Sequence, residues 1–481
     1  MARPVARAAS VGRIWVRPSE VAVARAVAGL GAAGFIAYWV VVSMRRWNDF
    51  ETNAFDLGFF DQIVWNTAHG RWFETTFVPY NFAGQHFEPV LLLFSGAYRL
   101  GAGPTFLLAT QAVVCGLAAL LLFEAGRSFG LRAGVAAAVA IAYLGSPYLH
   151  RAMQFDFHPE TMVAAPAFGS LWALGARRPR LAAGLALGAL LFKEDAVFVV
   201  VGLAALIAWR GYRGLGVATA GIALAWSVVL LGVLMPAWRG GAPGDLGVRY
   251  ADVTGGHDGV EAAAWALSHP LEVARALLPL DHLGTAATFV GASGIAMLAA
   301  PLTLVLLVPE MLLAVLSTHP PQSALELHYA AELVPLAAAG TVLGARRLAE
   351  RMPSRFVMAV VLAPAIAGFL ALSPASPLTS EGGAPPTAEH RAAVAEALAM
   401  VPRGEAVAAQ SGLAPRLSQR ETVYEFPGEW ASTSWVVVDA YGFRSSQSIG
   451  AGFDAALARV RAEWTRVYER DGVEVYRRGE P

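Results

Sequence analysis

The chain has 481 residues, of which 56% are hydrophobic and 15% charged, with a mean hydropathy of +0.50. Soluble proteins of this length carry roughly 25% charged residues, so a chain poor in charge and rich in long apolar runs is expected to use lipid as its solvent. The 36 basic and 36 acidic side chains cancel, which argues against a nucleic-acid partner, and one cysteine, Cys115, excludes a disulfide framework.

In chain order, Arg3, Arg7, Arg13 and Arg17 precede an apolar stretch at 21–44. It is long enough to span and has no small-residue cleavage site before Arg45 and Arg46, so it reads as a first transmembrane helix and not as a cleavable signal. A long outer segment, 45–103, follows; its stretches 57–69 and 87–100 read as amphipathic helices lying along the interface. Further apolar runs at 104–125, 131–149, 161–176, 181–192, 196–209, 214–236, 286–300, 301–317, 329–345 and 355–373 bring the expected total to about eleven transmembrane helices. A second outer segment, 237–285, is rich in Gly, Asp and His and reads as irregular.

Arginine placement gives the orientation. Arg127 and Arg132, Arg177, Arg178 and Arg180, Arg210 and Arg213, and Arg346, Arg347, Arg351 and Arg355 fall in alternate turns, which puts those turns and the N-terminus in the cytoplasm. Arg45 and Arg46 are the exceptions. Residues 374–386, rich in Pro, Ser and Gly, read as a linker. Beyond it, 387–481 reads as a small extracytoplasmic α/β domain with a helix at 387–400, strands near 405–409, 421–426 and 434–439, a helix at 450–463 and a closing strand or hairpin at 465–477. The fold class is therefore an α-helical polytopic membrane protein of an inner or plasma membrane, with residues 1–373 in the bilayer domain and a small α/β domain after it.

Charges beside apolar helices are expensive and so mark function. Five polar clusters stand out. Asp56 and Asp61 follow the first span among aromatic residues; Asp56 would also serve as a helix N-cap. His86 and Glu88 precede an apolar helix. Asp156, His158 and Glu160 alternate with apolar residues, so an extended segment would show them on one face, where they can hold a divalent cation or activate a hydroxyl. Lys193, the only lysine, is followed by Glu194 and Asp195 and suits either ion pairing or phosphate binding. His328 and Glu332 lie four apart, on one helical face. Each cluster alone also reads as a solvated turn or a helix start, but the orientation places all five on the outer side, as one binding cleft would require.

The runs Phe55 to Gln62, His86 to Pro89, Phe155 to Glu160 and Lys193 to Asp195 resemble the bacterial predicted-membrane-protein family called domain of unknown function 2079, over roughly residues 45–440. That family is distantly similar to the GT-C membrane glycosyltransferases, which move a sugar from a polyprenyl-phosphate carrier to an acceptor on the outer face. The resemblance implies Asp56, then Asp61, as the first-loop catalytic acid. It implies Asp156, His158 and Glu160 as a later acidic site for a divalent cation, Mg or Mn. His86, Glu88, Lys193, Glu194, Asp195, His328 and Glu332 would bind substrate, with Lys193 or Arg151 facing the leaving phosphate. The chain departs from the pattern in having no paired acid motif after the first span. Two other readings stay open: a transporter of a polar or lipid-linked substrate, for which Glu310 lies within an apolar run, and a non-enzymatic scaffold with an outer binding domain.

Overall fold

The computed structural model describes residues 18–276, 278–379, 384–442 and 452–479. Arg3, Arg7, Arg13 and Arg17, part of the expected linker and the start of the expected helix at 450–463 lie outside them. Four described helices are long and apolar enough to cross a bilayer: Ser19–Asn48, Pro104–Ser128, Arg213–Arg239 and Ser354–Leu372. A fifth span is formed if Ala133–Leu144 and Pro147–Gln154, bent by 40° at their junction, are taken as one.

The expected count of eleven is not reached by this measure. The runs near 161–176, 181–192, 196–209 and 301–317 fold as the short helices Ala164–Gly175, Pro179–Gly188, Val197–Trp209 and Leu302–Val315. A helix of such length rises only about 20 Å at about 1.5 Å per residue, against a hydrocarbon core of about 30 Å. Ala164–Gly175 and Val197–Trp209 are buried along most of their length, so they are apolar all round because protein surrounds them. The bundle closes on small residues: a side chain at Gly344 would collide with the Ala296 carbonyl, which lets the Leu333–Ala349 helix and the Ile295–Ala299 turn touch backbone to backbone.

The two long segments differ from their expected form. Phe59–Ala68 is buried at nine of its ten positions, so it is an internal helix and not one resting on the interface. It packs on Leu92–Arg99, and its Asp61 and Gln62 bond to Ser418, Arg420 and Glu421. Segment 237–285 is largely helical, with Asp245–Arg249, Ala251–Thr254, Gly259–Ser268 and Pro270–Ala276; the Asp258 carboxylate accepts from the amides of Gly244 and Gly247 and gathers the segment.

The C-terminal elements stand where the sequence places them. Strands β1 (Val407–Ala409), β2 (Val423–Glu425), β3 (Trp435–Asp439), β4 (Thr465–Arg470) and β5 (Val473–Arg477) form one sheet in the order β2-β1-β3-β5-β4. The first three are parallel, and β5 is antiparallel to both β3 and β4. Alternate side chains feed two cores. Val407, Ala409, Val437 and Val475 meet Ala393, Val394 and Ala397 of the Ala388–Ala399 helix, whereas Ala408, Val436, Val438 and Tyr476 meet Phe453, Leu457 and Val460 of the Phe453–Glu463 helix.

The carboxyl edge of β1 and β3 is pressed against residues 47–54 of the membrane part. Ser411 accepts from the Ala54 amide at 3.3 Å, a side chain at Gly412 would strike the Phe50 carbonyl, and the Arg416 guanidinium lies 3.7 Å over the Trp47 ring. Arg391 pairs with Asp49 at 2.9 Å and Arg71 with Glu421 at 2.7 Å.

Candidate functional site

Asp56 sits where helical geometry fails. Between the Pro18–Asn48 helix and Phe59–Ala68 the chain turns sharply, and Asp56 takes φ 97° and ψ −91°. A non-glycine residue held there costs about 1–3 kcal/mol and persists only when its surroundings enforce it. Asp156 supplies that enforcement. Fully buried, its carboxylate accepts from the Asn53 amide at 2.6 Å and the Asn53 side chain at 3.1 Å, and pairs with Arg46 at 2.6 Å.

The 154–160 segment does not run extended. Asp156 has φ 64°, and Pro159 opens the 3-10 turn Pro159–Val163, so the three acidic and imidazole groups part company. Asp156 bonds to Arg46 and Asn53, while His158 bonds to Asp56 and Glu160 lies against Lys193 and His328. The single-face arrangement expected from alternation therefore does not form, and Asp156 stands apart from the groups that can share a metal ion.

Those groups are His158, Glu160 and His328. One ligand atom from each lies within 4.8 Å of the others. His158 Nε2 is 3.2 Å from Asp56 Oδ1, the His158 and His328 rings stack at 3.8 Å, and Glu160 Oε1 is 3.7 Å from His328 Nε2. Glu160 also lies 3.5 Å from Lys193 Nζ, which is 3.5 Å from Asp195. His86 pairs with Glu194 at 2.7 Å, and the Phe87 amide donates to the other Glu194 oxygen at 3.0 Å. Glu88 and Glu332 are buried within electrostatic reach of Lys193, as is Glu310.

The structure thus draws together Asp56, His86, Glu88, His158, Glu160, Lys193, Glu194, Asp195, His328 and Glu332 from five separate stretches of chain. Six carboxylates, Glu88, Glu160, Glu194, Asp195, Glu310 and Glu332, interact with one ammonium, Lys193. Although burial opposes it, Asp195 and Glu160 lift Lys193 well above its usual range. Several groups here are buried with no hydrogen-bond partner among the described residues: one oxygen each of Glu88, Glu160, Asp195 and Glu332, and Nδ1 of His158 and of His328. Unpartnered buried acceptors are rare and costly; with negative charge in excess, this set is suited to a cation. Phe87 stacks on Trp238 at 5.6 Å and lies 5.7 Å from Trp226, so an aromatic wall from the Arg213–Arg239 span adjoins the acids.

Asp61 lies elsewhere. It accepts from Tyr98 at 2.6 Å, Ser418 at 2.6 Å and Gln419 at 3.3 Å, fastening the C-terminal unit to the first long segment. Burial pushes its carboxyl up to about 6, against the three hydrogen bonds. Because this value exceeds the ordinary 3.8, the stability Asp61 contributes is full below pH 3.8 and is lost as pH rises to about 6, a change of about 3 kcal/mol at most. Thermal denaturation of Asp61→Asn across this window is expected to lack that fall; an unchanged pH profile would assign it to other groups.

Arg46 and Asn53 were not singled out by the sequence, although Arg46 carried a signal as an exception to the arginine rule. Its charge belongs to Asp156 and not to orientation.

These features define a polytopic helical membrane protein with a buried acid cluster at one end of its bundle, beside a small α/β unit. The chain belongs to the family described as "Predicted membrane protein (DUF2079)", which matches residues 46–475 and so takes in the whole cluster. No curated protein matches it.

Proposed function

We propose that the protein is a membrane glycosyltransferase that moves a sugar from a polyprenyl-phosphate carrier to an acceptor at the extracytoplasmic face of an inner or plasma membrane. The observation that carries this reading is Asp56, a carboxylate 18% exposed, held in a strained turn and bonded to His158 at the rim of the acid cluster. In that position Asp56 takes the proton of the acceptor hydroxyl as its oxygen attacks the anomeric carbon, while the carrier phosphate leaves with the bonding electron pair. His158 orients Asp56, and Asp156 fixes the turn that carries it. The aromatic wall of Phe87, Trp226 and Trp238 gives an apolar chain a surface next to the polar centre.

Lys193 alone is a poor phosphate site, because six carboxylates outweigh it. His158, Glu160 and His328 would hold a divalent cation, which supplies the missing electrostatic stabilisation of the leaving group. Two imidazoles and one carboxylate favour Mn over Mg, which prefers oxygen ligands only. Arg151 instead donates to the Leu325 carbonyl at 3.4 Å and lies over the Tyr148 ring.

The test is transfer of labelled hexose from a polyprenyl-phosphate donor by full-length protein in proteoliposomes. Transfer is expected to require Mn and to stop on chelation or in His328→Ala. Uptake of label without covalent product would instead favour a transporter, the reading that buried Glu310 supports. Sidedness has its own check. Cys115 is buried, so a cysteine placed at exposed Leu100 is expected to react with an impermeant maleimide added outside intact cells; labelling only after lysis would reverse the orientation.

A further inference from the structure

A cavity of about 740 Å³ lies between the C-terminal sheet and the segment that leads to Asp56. Its walls include Arg46, Asn53, His390, Asp439, Tyr441 and Asp471. We infer that this cavity is the acceptor subsite and that it takes a hydroxyl-rich molecule, uncharged or amine-bearing, and not an anion; the inference rests on the transferase reading above.

The position follows from topology. β2 lies on one side of β1 and β3 on the other, so the chain reverses direction across the sheet between β1 and β3. In open α/β sheets ligands bind outside the carboxyl ends of the strands at such a reversal. Asp439 ends β3 there, with Tyr441 just beyond it, and the opposite wall is supplied by residues 46–53. The volume falls within the range of small-molecule sites. Asn53 belongs both to this wall and to the hydrogen bonds of Asp156, and Asp56 is three residues further on. A molecule seated in the cavity therefore lies beside the turn that carries the base.

The ligand class follows from charge. Both basic side chains in the wall are already engaged: Arg46 by Asp156, and His390 by Asp439 at 3.0 Å and Asp471 at 3.1 Å. Glu51 and Asp49, the latter paired with Arg391, add further carboxylates. A phosphate would meet net negative charge, so the donor headgroup is excluded from this side and must approach the acid cluster from the membrane. The carboxylates are instead complementary to hydroxyl and ammonium groups and the Asn53 amide to hydroxyls, and the Tyr441 ring, 74% exposed, offers a face for a sugar ring.

Full-length protein in detergent, titrated with glucosamine by ligand-observed NMR, is expected to show saturable binding. Glucose 6-phosphate should bind roughly ten-fold more weakly or worse, and Asp471→Asn and Tyr441→Ala should each weaken glucosamine by roughly ten-fold. Tyr441 is exposed, so its loss leaves the sheet core intact and guards against an unfolding artefact. No saturable glucosamine binding, equal binding of the phosphate, or variants that bind like the parent would each overturn the inference. Binding that persists where no sugar transfer is found removes the transferase reading and leaves the site; transfer whose acceptor KM is unmoved in both variants removes the site and leaves the transferase.

Discussion

Asp56→Asn is expected to lower kcat for sugar transfer by about 10²–10⁴-fold, the usual contribution of a positioned general base, with little change in stability. The substitution isolates the chemistry because asparagine has the shape of aspartate and keeps an oxygen for His158. Asp56→Ala would confound the two, since alanine brings back the strain without the hydrogen bond. Transfer at the parental rate in membranes containing the variant would end the base assignment and, with it, the strongest support for the transferase reading.

The second large effect concerns Lys193. Lys193→Met is expected to destabilise the membrane part by about 3–5 kcal/mol, because removing one partner leaves buried charge uncompensated. The ammonium is 11% exposed, lies 3.5 Å from both Glu160 and Asp195 and acts on buried Glu88 as well. Thermal denaturation in detergent reads the loss. If the cause is charge and not shape, Glu160→Gln in the Lys193→Met background should restore much of the stability. A double variant no more stable than the single one would show that Lys193 acts through packing.

Much of the site was legible because buried charge beside apolar helices is conspicuous in any sequence. Asp56, His86, Glu88, His158, Glu160, Lys193, Glu194, Asp195, His328 and Glu332 could be chosen on that ground and do come together. Direction was less legible. Asp156 and His158 are two residues apart and would share a face in a strand, but φ of 64° at Asp156 sends them to different partners, and nothing in local composition announces that rotation. Asp61 looked like a twin of Asp56 until Ser418, 357 positions later, claimed it. Arg46 was visible only as a violation of the arginine rule.

The fold divides in the same way. The strands of the small sheet follow turn residues and β-branched runs, which are local, and they were placed closely. The span count of eleven is not confirmed, because hydropathy cannot distinguish a helix wrapped by lipid from one wrapped by other helices. Val197–Trp209 is apolar along its length for the second reason.

The fastening of the first long segment by the last part of the chain has a consequence for how the protein is made. Asp61 and Gln62 find partners at Ser418, Arg420 and Glu421, and Ala54 finds Ser411. At synthesis rates of about 5–20 residues per second, the turn bearing Asp56 leaves the ribosome on the order of 20–70 s before the residues that brace it. A nascent chain therefore carries the Asp56 turn unbraced through most of its translation, and a ribosome that stops short of the final sheet releases a product that occupies the membrane without those contacts.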